Sequence, residues 1–290
     1  MYLIPVKYHN LTYPEDINPK IFELAGHFDT LPLKDRKISK NIKISLHTEY
    51  SAKSRNMQNI NSEVLKKSLR KVWGKPVPDL WIDKKWTEDF AKFLLNLVKD
   101  YEKQIEIIEI HPPISRSFNW NKFIENYQIF YEKIKENIPN AKILIENRNS
   151  FLLSGIKDFQ KLSDIIDKSN LDLKLIIDFP QLLNYEKAKF DIDKLNSVLK
   201  EIKNFKHNIK AFHLWGQIGN KSHAGDINDY FNNNSRLVNT FYENLASIFI
   251  GKNEKYYFIP EINLGKKGKT KNECLSNIVQ ELKFSGFQFI

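Results

Sequence analysis

From Ile105 to the C-terminus, short apolar runs alternate with amphipathic stretches, and this rhythm leaves the chain few folds to choose from. The runs are 105–110, 142–145, 173–177, 209–212 and 256–259. Between them lie segments with apolar residues at helical spacing. In 120–138, for example, Phe123, Tyr127, Phe130 and Ile134 share one face, and 158–168, 191–203, 235–249 and 272–284 follow the same pattern. Short apolar runs without polar alternation read as strands buried on both faces. Strands separated by helices run parallel, because each helix returns the chain to the start of the next strand.

The first third of the chain is less regular. Residues 2–6 read as a buried strand, 28–33 as a second and 42–46 as a third, with a helix predicted from Lys20 and closed by Gly26. Residues 49–86 are polar, basic and irregular, with a helical patch at 64–72 that Gly74, Pro76 and Pro78 interrupt. Thr87 is the expected N-cap of a helix carrying Phe90, Phe93, Leu94, Leu97 and Val98. Eight strands in all predict an α/β protein, a single (β/α)8 TIM barrel spanning 1–290 with an extended excursion, 49–86, after the third strand.

At 41% hydrophobic and 13% aromatic residues the chain can bury a large core, which excludes a disordered polymer. Cys274 is the only cysteine, so no intrachain disulfide forms, and a reducing cytoplasm is the expected location. The opening MYLIPVKYHN lacks the features of a signal peptide, and FAKFLLNLV is too short to span a bilayer, so no membrane is expected. A net charge of +10 points to an anionic partner, either nucleic acid or a phosphorylated small molecule. Part of that charge is ordinary lysine on solvated helix faces.

The apolar runs end on residues that bind metals: His47, His111, Glu146, Asp178, His213 and Glu261. Asp and Glu number 35 and His 7 of 290 residues, so about one position in seven would carry one by chance. Strand exits are where a barrel gathers its chemistry. Imidazole mixed with carboxylate suits zinc, manganese or iron, whereas an all-oxygen set suits magnesium or calcium. Glu146, Asp178, His213 and Glu261 are candidates to hold one divalent ion, and His47 with His111 a second that shares a carboxylate. Structural roles compete: ion pairs at the barrel mouth, a turn started by Asp178 before Phe179-Pro180, and backbone hydrogen bonds to the histidines. His223 and Asp226 flank Gly225 in a loop that reads equally as a plain turn. Arg148 and Arg116 lie just past strand exits, where a guanidinium can grip phosphate, although surface arginines are commoner. Trp215 and Trp120 suit stacking or core packing, and 265–269 (GKKGK) suits a phosphate contact or a solvated loop. His9, His27 and His207 read as structural or exposed.

As a set, these residues resemble the xylose isomerase-like barrels over about Ile42 to Asn263. The motifs are IxxHxP around His111, Ile145-Glu146-Asn147, IIDxPQ from Ile176 to Gln181, His213-Leu214, HxGD from His223 to Asp226, and Pro260-Glu261-Ile262. The layout is most similar to the endonuclease IV family of DNA repair enzymes. There His47 and His111 match two histidines of an outer zinc, and Glu146, Asp178, His213 and Glu261 match the remaining strand-exit ligands. The resemblance implies one to three ions, with Glu146, Glu261 and Asp178 as the catalytic carboxylates. It also shows departures: Gln181 stands where that family has a histidine, and the loop after the seventh strand has no Asp-x-His pair. The leading expectation is a metal-dependent hydrolase that cleaves phosphodiester bonds in nucleic acid. The alternatives are a sugar isomerase or epimerase with one ion and two glutamate bases, a multinuclear iron oxidative enzyme acting on a peptide (the amide of Gln181 fits this), and a barrel that binds nucleic acid or protein without chemistry.

Overall fold

The computed structural model describes residues 1–290 apart from 40, 51–59, 73–74, 115–117, 250 and 252–253. Its principal sheet contains β1 (Tyr2–Lys7), β2 (Ile21–Gly26), β3 (Lys43–Thr48), β4 (Ile105–Ile110), β5 (Lys142–Glu146), β6 (Lys174–Asp178), β7 (Ile209–Leu214) and β8 (Lys255–Pro260). These strands neighbour one another in sequence order, and β8 also pairs with β1, with Tyr2 opposite Lys255. The result is a closed eight-strand parallel barrel with helices between strands, a TIM barrel. A short C-terminal strand, Gln288–Phe289, adds to β1.

The contacts group the chain into two compact units: 23–146 with 150–153, and 1–22 with 147–149 and 154–290. The first unit holds β3, β4 and β5 with helices α1 (Lys84–Leu97) and α2 (Trp120–Asn137). Its core is aromatic: Trp81, Trp86, Phe90, Phe123 and Phe130 are buried and meet edge to face, stacked or, for Trp86, tilted. The second unit holds β1, β6, β7 and β8 with α3 (Ile156–Ser169), α4 (Ile192–Glu201), α5 (Ser235–Phe249) and α6 (Lys271–Phe284). Here Phe179, Phe212, Phe241, Phe249 and Phe258 form the corresponding cluster.

The second strand differs from the sequence expectation. Residues 28–33 form no strand, and the segment predicted to be a helix ending at Gly26 is β2 itself. Glu23, Leu24 and Ala25 favour helix, but burial of Ile21 and Glu23 on one strand face overrides that preference. Gly26 is not a helix cap. A Cβ there would come within 3.0 Å of Leu46 Cγ, so glycine permits close approach to β3. In the excursion, the expected helix 64–72 is a short one, Glu63–Lys67, followed by Leu69–Val72, which pairs antiparallel with Lys75–Pro78. The N-cap of α1 is Asp83, whose side chain accepts from Trp86 N at 2.8 Å, and Thr87 lies inside the helix. No described helix is long and apolar enough to cross a membrane.

Candidate metal centre

Within the first unit, three of the sequence candidates converge. His47 is the penultimate residue of β3, His111 follows β4, and Glu146 ends β5. His47 Nε2 lies 3.2 Å from His111 Nε2. Glu146 Oε2 is 2.9 Å from His111 Nε2 and 3.9 Å from His47 Nε2. The opposite ring nitrogens face acceptors: His47 Nδ1 is 2.9 Å from Glu23 Oε1, and His111 Nδ1 is 3.2 Å from the Glu49 carbonyl. A carboxylate only accepts, so a neutral His47 carries its proton on Nδ1 and turns its Nε2 lone pair toward His111, whose own Nε2 faces both that lone pair and Glu146 Oε2. Two ring nitrogens and a carboxylate oxygen then share one small space. A proton can bridge one pair of these atoms, whereas a divalent cation satisfies all three. Bonds of about 2.0–2.2 Å at tetrahedral angles place ligands about 3.3–3.6 Å apart, within the range of the separations observed. The donor set therefore fits zinc, manganese or iron rather than calcium.

The surrounding side chains fix this arrangement. Glu49 is buried and accepts from Phe28 N at 3.0 Å and Tyr50 N at 2.9 Å, which aims its own carbonyl at His111. Trp81 donates its indole N–H to the His111 carbonyl at 2.8 Å, and Asn126 holds the Trp81 carbonyl at 2.7 Å. The Trp81 backbone adopts a φ of 62°, a conformation that costs energy in a bulky residue and that these two bonds maintain. Behind His47, Glu109 is buried and accepts from the Ser45 hydroxyl. The rings of Tyr50 and His27 flank His47, their centroids 6.0 and 5.8 Å from it.

Within the second unit, Asp178, His213 and Glu261 each place one ligand atom within 4.8 Å of the others. His213 Nδ1 is 3.4 Å from Glu261 Oε2. His223 joins them, its Nδ1 3.5 Å from the same carboxylate oxygen and 3.1 Å from the Glu261 carbonyl, with its ring against Trp215. Asp178 also has structural work. Its Oδ1 accepts from Gln181 N at 2.9 Å, capping the short helix Phe179–Tyr185, and its Oδ2 accepts from Trp215 Nε1 at 3.0 Å. Asn147 completes the hold, donating to the Asp178 carbonyl at 3.2 Å and accepting from its N–H at 2.8 Å. Each carboxylate oxygen keeps a second lone pair, so the cap does not preclude ligation.

The other candidates are placed as follows. Asp226 is buried in a separate network with Lys269, with Asn277 Nδ2 at 2.9 Å and with Asp229 N at 3.2 Å. Burial works to raise its pKa, but the hydrogen bonds from Lys269 and Asn277 outweigh that and hold the carboxyl below its ordinary value. Lys266 pairs with Asp229 at 2.5 Å, so two lysines of the GKKGK loop are committed to internal carboxylates rather than to a phosphate. Gln181 and Arg148 are half-buried, Gln181 in the first turn of the helix capped by Asp178 and Arg148 two residues after β5. Arg116 lies outside the described residues, as do several positions of the 49–86 excursion. Trp120 and Trp215 are buried, and His207 is exposed beside Asp167.

Sequence reading missed Glu23, Glu49, Trp81 and Glu109. Glu109 carried a usable signal, being a charge at an inward position of an apolar strand, whereas Glu23 lies in a stretch whose residues favour helix. Glu49 acts largely through its backbone, and Trp81 lies in an irregular stretch, where pattern is silent.

No family model and no curated protein matches this chain. Solved structures do. The one described as AsfvAP:AG aligns with a TM-score of 0.60 at 14% identity, covering 98% of both chains. Endonuclease IV from Thermus thermophilus aligns at 0.52 and 11% identity, covering 97% of this chain and 99% of its own. A D-psicose 3-epimerase solved in the presence of D-fructose aligns at 0.47 and 13%, covering 98% and 99%. At identities this low, the likeness of these structures to this chain is one of fold.

Proposed function

We propose that this chain is a metal-dependent hydrolase that cleaves phosphodiester bonds in nucleic acid, as its resemblance to endonuclease IV implies. The observation that carries the reading is the convergence of His47 Nε2, His111 Nε2 and Glu146 Oε2, with both rings held by acceptors at Nδ1. A sugar isomerase working with one ion and two glutamates has no need of this histidine pair, and the outer residues that orient it would be unexplained.

His47, His111 and Glu146 hold one ion in this reading, and Asp178, His213 and Glu261 hold another. A divalent ion in such a set lowers the pKa of a bound water toward neutrality and polarises a phosphoryl oxygen. The chain's own groups do the rest. Glu261, steadied by His213 and His223, is placed to accept a proton. The Trp215 indole and the Gln181 N–H keep the Asp178 carboxylate from rotating away. Arg148 supplies a cation just past a strand exit, suited to phosphate.

The test is elemental analysis of the purified chain, followed by incubation of chelator-stripped and metal-restored protein with abasic duplex DNA. Zinc or manganese in the protein and metal-dependent nicking are expected. Full metal occupancy without cleavage of abasic, damaged or single-stranded DNA would remove the hydrolase reading. Interconversion of ketose epimers by the same protein would put the isomerase in its place.

A further inference from the structure

His47 is gripped at both ring nitrogens. Its Nε2 belongs to the ligand triad, and its Nδ1 meets Glu23 Oε1 at 2.9 Å. Glu23 is not a strand-exit residue. It sits in the middle of β2, and its side chain is only 4% exposed. The corresponding position behind His111 is occupied by a backbone carbonyl, that of Glu49. The two rings of the triad therefore lean on different partners at Nδ1, a carboxylate behind His47 and a backbone carbonyl behind His111.

We propose that Glu23 is a positioning residue of the metal centre, which locks His47 in its Nδ1–H tautomer and makes it the stronger nitrogen donor of the pair. The inference rests on the metal reading above. With the opposite tautomer, a ring lone pair would point at a carboxylate oxygen 2.9 Å away, and the two would repel. With the proton on Nδ1, the carboxylate draws it outward and the ring passes electron density to Nε2, so a bound cation is held more tightly. A second carboxylate, that of Glu109, lies within 4.8 Å of the ligand atoms of His47 and Glu23. The Glu49 carbonyl orients His111 without adding charge.

Two variants separate orientation from charge. Glu23→Gln keeps an acceptor but loses the charge, and Glu23→Leu loses both. Zinc affinity of the chelator-stripped full chain, measured by competition with a chelating indicator, should fall about tenfold in the first and up to about a hundredfold in the second. Long-range nitrogen–proton NMR of the metal-free wild type should show His47 with its proton on Nδ1, and Glu23→Leu should give a tautomer mixture. Unchanged zinc affinity in both folded variants, or a wild-type His47 protonated on Nε2, overturns the proposal. If Glu23→Leu does not fold, Glu23→Gln and the wild-type spectrum decide. A wild type that takes up no zinc defeats the metal reading, and the tautomer, observed without metal, still judges Glu23 on its own.

Discussion

Single side chains in this protein act chiefly by constraining one another. Glu49 binds two backbone N–H groups with its carboxylate and presents its carbonyl to His111, so Glu49→Ala would remove the acceptor of the buried Phe28 N–H and of the part-buried Tyr50 N–H. A loss of about 2–4 kcal/mol is expected in urea denaturation. Cys274 is buried, and burial first and Asp226 second push its thiol up to about 11. A thiol that is neither exposed nor ionised does not attack disulfides. The native protein should leave an aromatic disulfide reagent unreacted at neutral pH and consume one equivalent after unfolding. Glu23 shows what residue-level pattern reading overlooks: three helix-favouring residues before a glycine concealed an inward-facing acid on a strand.

At the scale of elements, strand ends are coupled to the helices that follow them. Asp178 ends β6 and caps Phe179–Tyr185 while holding the Trp215 indole. Asp178→Ala loses the cap and orphans the indole, so a cost of about 2 kcal/mol is expected. Asp178→Asn, itself a good cap, should recover at least half of it in the same denaturation assay. Asp226 joins the short helix Ile227–Tyr230 to α6 through Asn277 and to the loop before α6 through Lys269. Its carboxyl is held below the ordinary value in the fold, so the unfolded chain takes up the proton first as pH falls. The stability Asp226 contributes is complete above about pH 4 and drains away as pH drops through the lower, folded value. Asp226→Asn should therefore destabilise at neutral pH, by about 2–3 kcal/mol, and lose less further stability than wild type on acidification. Thermal melts of both proteins from pH 7 to pH 2 measure this difference.

At the scale of the whole molecule, the closed strand order and the net charge of +10 set what the chain can engage. If its partner is nucleic acid, affinity should fall steeply with salt. Contact with three phosphates would weaken binding about fortyfold between 50 and 200 mM salt. A binding curve indifferent to salt would exclude a phosphate-backbone partner. The alternation of apolar runs and amphipathic helices was enough to specify a parallel α/β barrel, because strands buried on both faces and helices buried on one have distinct periodicities. The residues closing β5 and β6, the penultimate residues of β3 and β7, and those just after β4 and β8 were equally legible, since an acid or imidazole at the end of an apolar run breaks a pattern that can be read locally. The sequence alone thus determined the architecture and put forward six ligand candidates. Tertiary structure alone decided that residues 21–26 are a strand, that Glu23 stands behind His47 and the Glu49 carbonyl behind His111, and that Asp226 belongs to a lysine network. These are contacts between residues distant in the chain, or bonds from backbone atoms that every residue possesses, and neither leaves a periodic trace in the order of amino acids.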